Sequence, residues 1–235
     1  MEMELTEKPQ NPSIIQAFPG FGLVGTITTE FLINHLECRL IGKKWFEELP
    51  SAVAIHKGEL IQPIGIYYNE KYNLIIVHSI TGVPGMEWKI GDFLEQLGNE
   101  LDAKEFIALD GIGTAKETEI PDIYFYSNLD ENKIKNKELE IKPLDEGIIM
   151  GVTSALLLKT SRNVNAYFVE THSEFPDSKA AAELIKILDK VLTLEVDPKP
   201  LYESAKLFEE KFNKIIQHGK ITQTQLKKKQ LNYVG

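Results

Sequence analysis

Two hydrophobic periods alternate along this chain, and the switches between them mark its elements. Apolar runs of strand length occur at SIIQAF (Ser13 to Phe18), AVAIH (Ala52 to His56), FIALDG (Phe106 to Gly111) and AYFVE (Ala166 to Glu170), and RLIG predicts one more short strand. IGIYY and LIIVHSI flank the polar NEKYN, the pattern of an antiparallel hairpin. Between these runs the spacing becomes helical. Val24, Ile27, Phe31 and Leu32 share a face, as do Ile90, Phe93, Leu94, Leu97 and Leu101. GIIMGVTSALLLKT predicts a helix over Gly147 to Thr160, with Gly147 and Gly151 four apart to let a neighbour pack closely. A further helix is expected from Lys179 to Leu192, capped by Asp177 or Ser178. Strands that are apolar throughout need cover on both faces. The fold class is therefore α/β, a three-layer α/β/α sandwich with a mainly parallel sheet plus a β-hairpin.

Breaks in the pattern set the organisation. Residues 1–12 are polar and read as an N-terminal arm, followed by a core domain over 13–196. Within it, residues 114–143 are rich in Lys, Glu, Asn and Asp and read as a surface insertion with short strands. VDPKP (Val196 to Pro200) ends the core. Leu201, Ala205, Phe208, Phe212 and Ile215 then recur at spacings of four and three, one apolar stripe on a C-terminal helix over 197–216. That stripe either packs on its own domain or covers another subunit. Residues 217–235 form a basic tail.

Composition narrows the function. An apolar fraction of 43% supports a sizeable core. The longest apolar runs are too short to span a bilayer, and the acidic, polar start does not have the form of a signal peptide. Cys38 is the only cysteine, which fits a reducing, cytoplasmic setting. Net charge is −9, yet the tail from Gln217 carries four lysines (Lys220, Lys227, Lys228 and Lys229) and no acid, leaving −13 on the rest. An acidic body argues against nucleic-acid binding, and a short basic tail on it reads as an interaction arm.

Several constellations bear on chemistry. Gly20, Gly22 and Gly25 form a G-x-G-x-x-G between a strand and a helix, where backbone amides could approach a pyrophosphate. Pro19 removes one amide donor there, and RLIG is followed by Lys43, Lys44 and Trp45 rather than an acid for a ribose. The alternative is that the glycines serve a tight turn and close helix–sheet packing. Glu170, His172 and Glu174 follow a strand and could share a rim with Asp110, giving a carboxylate–imidazole site of a small-molecule or nucleotide-binding enzyme. Loop hydrogen bonding and helix capping explain the same residues. Ser154 sits inside a predicted helix, not at an elbow, and the five histidines lack metal-ligand spacing. No catalytic residue, metal or cofactor is expected.

Taken in order, FPGFGLVG, LPSAVAIHKGELIQPIGIYY, LIIVHSITGVPGMEW, ALDGIG, GIIMGVTSALLL and VETHSEFPDSKAAAELIKIL resemble the proteasome assembly chaperone family in its archaeal form, over about Ser13 to Ile215. The most specific pieces are FPGFGLVG, with Pro19, Gly20, Gly22 and Gly25, and the PD-x-x-AA run with Pro176, Asp177, Ala180 and Ala181; Gly151 opens the G-x-T-x-x-L-L segment between them. The resemblance implies an α/β/α sandwich, a homo-oligomer, and a non-catalytic chaperone or activator of the proteasome core particle. A second family member is a further possible partner. It also implies C-terminal tails that dock in pockets of the core particle's outer ring, through a hydrophobic residue, a tyrosine and a last residue whose carboxylate meets a lysine. This chain ends Leu231, Asn232, Tyr233, Val234, Gly235, so its tyrosine stands one place earlier and Leu231 is the available apolar anchor. Lys227, Lys228 and Lys229 precede it.

Overall fold

The structure is a computed structural model, and it describes residues 3–49, 51–56, 58–114, 120–171 and 176–196. Its centre is four parallel strands: β2 (Ser13–Ala17), β7 (Leu74–Ser79), β8 (Glu105–Gly113) and β11 (Asn163–Thr171). All four are largely buried on both faces, because helices cover the sheet above and below. β6 (Ile64–Asn69) forms the expected hairpin with β7, then β3 (Arg39–Lys44) and β1 (Glu4–Leu5) continue antiparallel to that edge. At the other edge β9 (Ile123–Ser127) runs antiparallel to β11, and β10 (Lys142–Pro143) follows it in parallel. The order is β1-β3-β6-β7-β2-β8-β11-β9-β10.

One face carries α1 (Val24–His35) and α5 (Ser178–Leu192), the other α2 (Glu87–Glu100) and α4 (Gly151–Lys159). Alternation along β2 assigns its side chains: Ile15 and Ala17 join the α1/α5 core, whereas Ile14 joins the α2/α4 core and Gln16 reaches α4. Small residues set the helix spacing. A Cβ on Gly91 of α2 would lie 3.2 Å from the Ala155 Cβ of α4, and Lys159 pairs with Asp92 across the same crossing. Ala180, Ala181 and Ala182 are fully buried where α5 meets α1.

Four segments depart from the sequence expectation. Residues 147–150 are not helical. Met150 is extended and Gly151 sits at φ 79°, so α4 begins only there and leaves Ile148 91% exposed. β4 (Ala54–His56) stands outside the main sheet, paired only with β5 (Glu59–Ile61), and Ile55 is exposed. The stretch read as a surface insertion extends the main sheet instead. Its β9 buries Phe125 in the core, and it adds α3 (Asp130–Glu138), a polar helix with no apolar stripe, anchored where the Tyr167 hydroxyl donates to Asn136 at 2.9 Å. The N-terminal residues lie along the sheet edge through β1, with Met3 buried. The C-terminal helix and the basic tail lie outside the described residues.

Candidate functional site

On either side of β2 the connections leave for opposite faces, α1 to one and α2 to the other. This is the switch point at which an open α/β sheet leaves a crevice beyond its strand ends. A cavity of about 570 Å³ lies there, between the end of β2, the end of β8, the 82–84 turn and the extended run 146–151. Its walls include Phe18, Ile112, Ile149 and Phe168, and Phe21 and Met150 are exposed among the lining residues.

Asp110 contributes a carboxyl group to this cavity, which Glu87 and Glu146 also line. Burial pushes its pKa up from 3.8 to about 6, against the opposing pull of the Gly111 N–H, which donates to Oδ1 at 2.9 Å, and the Thr153 hydroxyl, which donates to Oδ2 at 3.3 Å. Thr153 stands in the first turn of α4. Its hydroxyl accepts from the Gln16 side-chain nitrogen at 3.3 Å. Gln16 is 1% exposed, and its Oε1 has no hydrogen-bond partner among the described residues.

The glycine turn is spent on packing. Gly22 sits at φ 61°, and a Cβ there would meet Thr171 Oγ1 at 2.5 Å. A Cβ on Gly25 would lie 2.7 Å from the Leu109 carbonyl oxygen, so α1 rests directly on β8. A Cβ on Gly20 would come within 2.9 Å of Asp110 Oδ1, which puts a carboxyl group where a pyrophosphate would approach. Pro19 and Gly20 line the cavity, as does Gly151.

Asp177 ties this turn to the rest of the fold. Its backbone N–H donates to the Gly22 carbonyl at 2.8 Å, its Oδ1 caps α5 by accepting from the Ala180 N–H at 2.9 Å, and its Oδ2 accepts from the Thr171 hydroxyl at 2.8 Å. Pro176 is buried beside it. The two specific pieces of the sequence, FPGFGLVG and the PD-x-x-AA run, thus meet at one place.

Of the residues proposed to share a rim with Asp110, only Glu170 is described. Glu170 lies outside the cavity lining, and its Oε1 accepts from the Tyr124 hydroxyl at 3.3 Å. His172 and Glu174 fall outside the described residues, as do Leu201, Ala205, Phe208, Phe212, Ile215, Lys227, Lys228, Lys229 and Leu231 to Gly235. Ser154 donates to the Gly151 carbonyl within its own helix. Burial pushes the Cys38 thiol up to about 11, which keeps it protonated and unreactive. His78 is buried, with Nδ1 2.9 Å from the Thr29 hydroxyl and Nε2 3.3 Å from Glu30. Among the described residues no three His, Cys, Asp or Glu side chains converge as a metal site, and no helix is long and apolar enough to cross a membrane.

Gln16 and Thr153 were not singled out from the sequence. A glutamine inside an otherwise apolar central strand was the available signal for the first, and the threonine of G-x-T-x-x-L-L for the second.

Comparison with known proteins agrees with this architecture. The profile of the PAC2 family matches residues 14–216. An uncharacterized protein of Methanocaldococcus jannaschii is 28% identical over 216 residues, covering 90% of this chain and 89% of its own length. Among solved structures, PbaA of Pyrococcus furiosus, an archaeal homolog of proteasome-assembly chaperone, superposes with a TM-score of 0.84 at 26% identity, over 94% of this chain and 99% of its own. PbaB of the same organism, an archaeal proteasome activator, shares the fold with a TM-score of 0.75 at 23% identity, over 91% and 98%.

Proposed function

The chain belongs to the PAC2 family, and from that premise we propose that it is a non-catalytic, homo-oligomeric chaperone or activator that binds a proteasome core particle in the cytoplasm. The observation that carries this reading is the likeness to PbaA across 94% of the chain. A second support is chemical. The glycine turn that would serve a nucleotide is filled by Thr171, the Leu109 carbonyl and the Asp110 carboxyl, so the feature that most favoured an enzyme is used for packing.

Binding is assigned to the C-terminal tail. Tyr233 supplies the ring that fills a pocket of the outer ring, Leu231 the apolar anchor, and the Gly235 carboxylate the charge that meets a lysine. Asn232 and Val234 place these groups, and Lys227, Lys228 and Lys229 add attraction to an acidic surface. Nineteen residues follow Ile216, a reach on the order of 60 Å when extended. Several tails on one oligomer raise the effective concentration, so a tail with its tyrosine one place early still binds through avidity.

A pull-down tests this with the full chain and a version ending at Leu231. The full chain is expected to retain core particle, with at least tenfold less on the shortened one. Equal retention by both would remove the tail from the mechanism. Retention by neither would remove the core particle as partner.

A further inference from the structure

We propose that the β4–β5 ribbon of one copy docks its apolar face in the mouth of the cavity of a second copy, so that subunits join head to tail. The inference rests on the homo-oligomer part of the reading above and names the two surfaces that meet.

The ribbon is built the wrong way round for a lone subunit. β4 and β5 pair only with each other, with Ile55 opposite Leu60 and Ala54 opposite Ile61. Directly opposed residues share a face, so Ile55 and Leu60 stand on one side and Ala54 and Ile61 on the other. Ala54 and Ile61 are half-buried, whereas Ile55 is 66% and Leu60 51% exposed. Val53, two residues before Ile55, is exposed as well. The ribbon thus turns an apolar face away from its own domain. Two short strands alone are marginally stable in water, and an outward apolar face adds to the cost of leaving them uncovered.

The mouth of the cavity has the matching form. Phe21, Ile148 and Met150 line it and are exposed, with Phe18, Ile112 and Phe168 behind them. A volume of about 570 Å³ exceeds that of two branched aliphatic side chains, so Ile55 and Leu60 of a neighbour can enter. Within one copy the two surfaces stay apart. Ile64, just past the ribbon, pairs with Ser79 at the end of β7, so ribbon and cavity lie at the same end of the sheet, yet both keep their apolar side chains exposed.

One chain therefore carries both halves of a contact, a protruding apolar face and a recessed apolar mouth. Charge favours joining unlike halves. Asp110, Glu87 and Glu146 line the cavity of a chain whose net charge is −9, so two mouths brought together would oppose their carboxyl groups. Between Ser51 and Pro63 the sequence has His56 and Lys57 against one acid, Glu59, so this segment approaches an acidic mouth without that repulsion. Two ribbons packed on each other would leave both mouths open. A contact between two different patches is heterologous, so copies add head to tail and close into a ring where the rotation permits.

Cross-linking of full chains tests the proposal. Ile55→Cys is made in an affinity-tagged chain and Met150→Cys in an untagged one, and the two are mixed and treated with a short bis-maleimide. The parent chain serves as the control for Cys38, whose raised pKa keeps it unreactive. The mixture is expected to give a dimer containing one chain of each kind, at least tenfold more than either variant gives alone. The double variant Ile55→Asp with Leu60→Asp is expected to form a smaller particle than the parent in native mass spectrometry, with a melting temperature within a few degrees of it. Self-cross-linking of Ile55→Cys as strong as the mixed product would overturn the proposal in favour of ribbon on ribbon, and the same result with Met150→Cys in favour of mouth on mouth. An oligomeric parent with no mixed product, or a charged ribbon variant that keeps the parental mass, overturns the docking and leaves the homo-oligomer in place. A monomeric parent overturns both.

Discussion

Asp110 is a residue that the fold tolerates at a cost. Burial raises its pKa from 3.8 to about 6, so the native state holds its proton more tightly than the unfolded chain does. The sign follows from linkage. Asp110 destabilises the native state least below about pH 4, and stability is lost as pH rises through about 6, after which the penalty is constant. A shift of that size corresponds to about 3 kcal/mol at full ionisation. Asp110→Asn keeps an acceptor for the Gly111 N–H, turns its NH2 group toward the Thr153 hydroxyl, and cannot ionise. The variant is therefore expected to be more stable than the parent at pH 7.5, with the difference shrinking to nothing near pH 4. Urea unfolding of both proteins across that range measures it, and a constant difference would contradict the assignment. A buried carboxyl that the fold would be stabler without is what a binding site looks like in a stability measurement. The glycines of FPGFGLVG tell the opposite story. They were legible as a motif, but a pattern of glycines alone does not distinguish room for a phosphate from room for a neighbouring strand. The contacts of Gly22 and Gly25 with Thr171 and Leu109 decide for the strand.

At the scale of elements, Asp177 joins the start of α5, the end of β11 and the Gly22 turn through three hydrogen bonds. Two of these come from its side chain. Asp177→Ala removes both and leaves the Thr171 hydroxyl and the Ala180 N–H to find other partners. A lost N-cap with a second bond is expected to cost about 2 kcal/mol, or roughly 5 °C in melting temperature for a domain of this size. Asp177→Asn keeps an acceptor at the cap and should lose less than half of that. Thermal melts of the three proteins check the order, and an Asn variant as weak as the Ala variant would shift the role from capping to charge. The elements that the sequence predicted well share one property. β2, β7, β8 and β11 are central strands buried on both faces, so their apolar runs reflect a demand that no local feature overrides. The elements it missed lie at edges. α3 is polar all round and held by the buried Asn136 rather than an apolar stripe, so no periodicity announces it. The run Ile148 to Met150 reads as helix because its apolar residues continue those of α4, and only the φ of 79° at Gly151 separates the two. That separation matters for the site, since the extended run forms one wall of the cavity. The two halves of the site thus differed in legibility. Asp110 closes the apolar run of FIALDG, where a polar residue is conspicuous. Its partners Gln16 and Thr153 came together only through the packing of α4 on β2.

For the whole molecule, the described fold places its polar constellation inside the core domain, while the proposed partner surface is the C-terminal segment. The stripe of Leu201, Ala205, Phe208, Phe212 and Ile215 stands between them in the sequence. Two placements of that stripe have different consequences. If it covers a second copy of the chain, introducing charge on it breaks the oligomer and leaves the core domain's stability nearly unchanged, because the sandwich buries its own core in both α1/α5 and α2/α4 layers. If it packs on its own domain, the same charges expose that domain's apolar surface and lower its melting temperature without a change in mass. The double substitution Phe208→Asp with Phe212→Asp separates the two, read by native mass spectrometry and thermal melting on the same sample. The oligomer reading expects a smaller particle with a melting temperature of the core transition within a few degrees of the parent. It also expects core-particle retention to fall at least tenfold although Tyr233 is intact, because tails that bind one at a time lose the effective concentration that makes a poorly matched end sufficient. An unchanged mass with a large drop in melting temperature would return the stripe to its own domain and leave the tails to act singly.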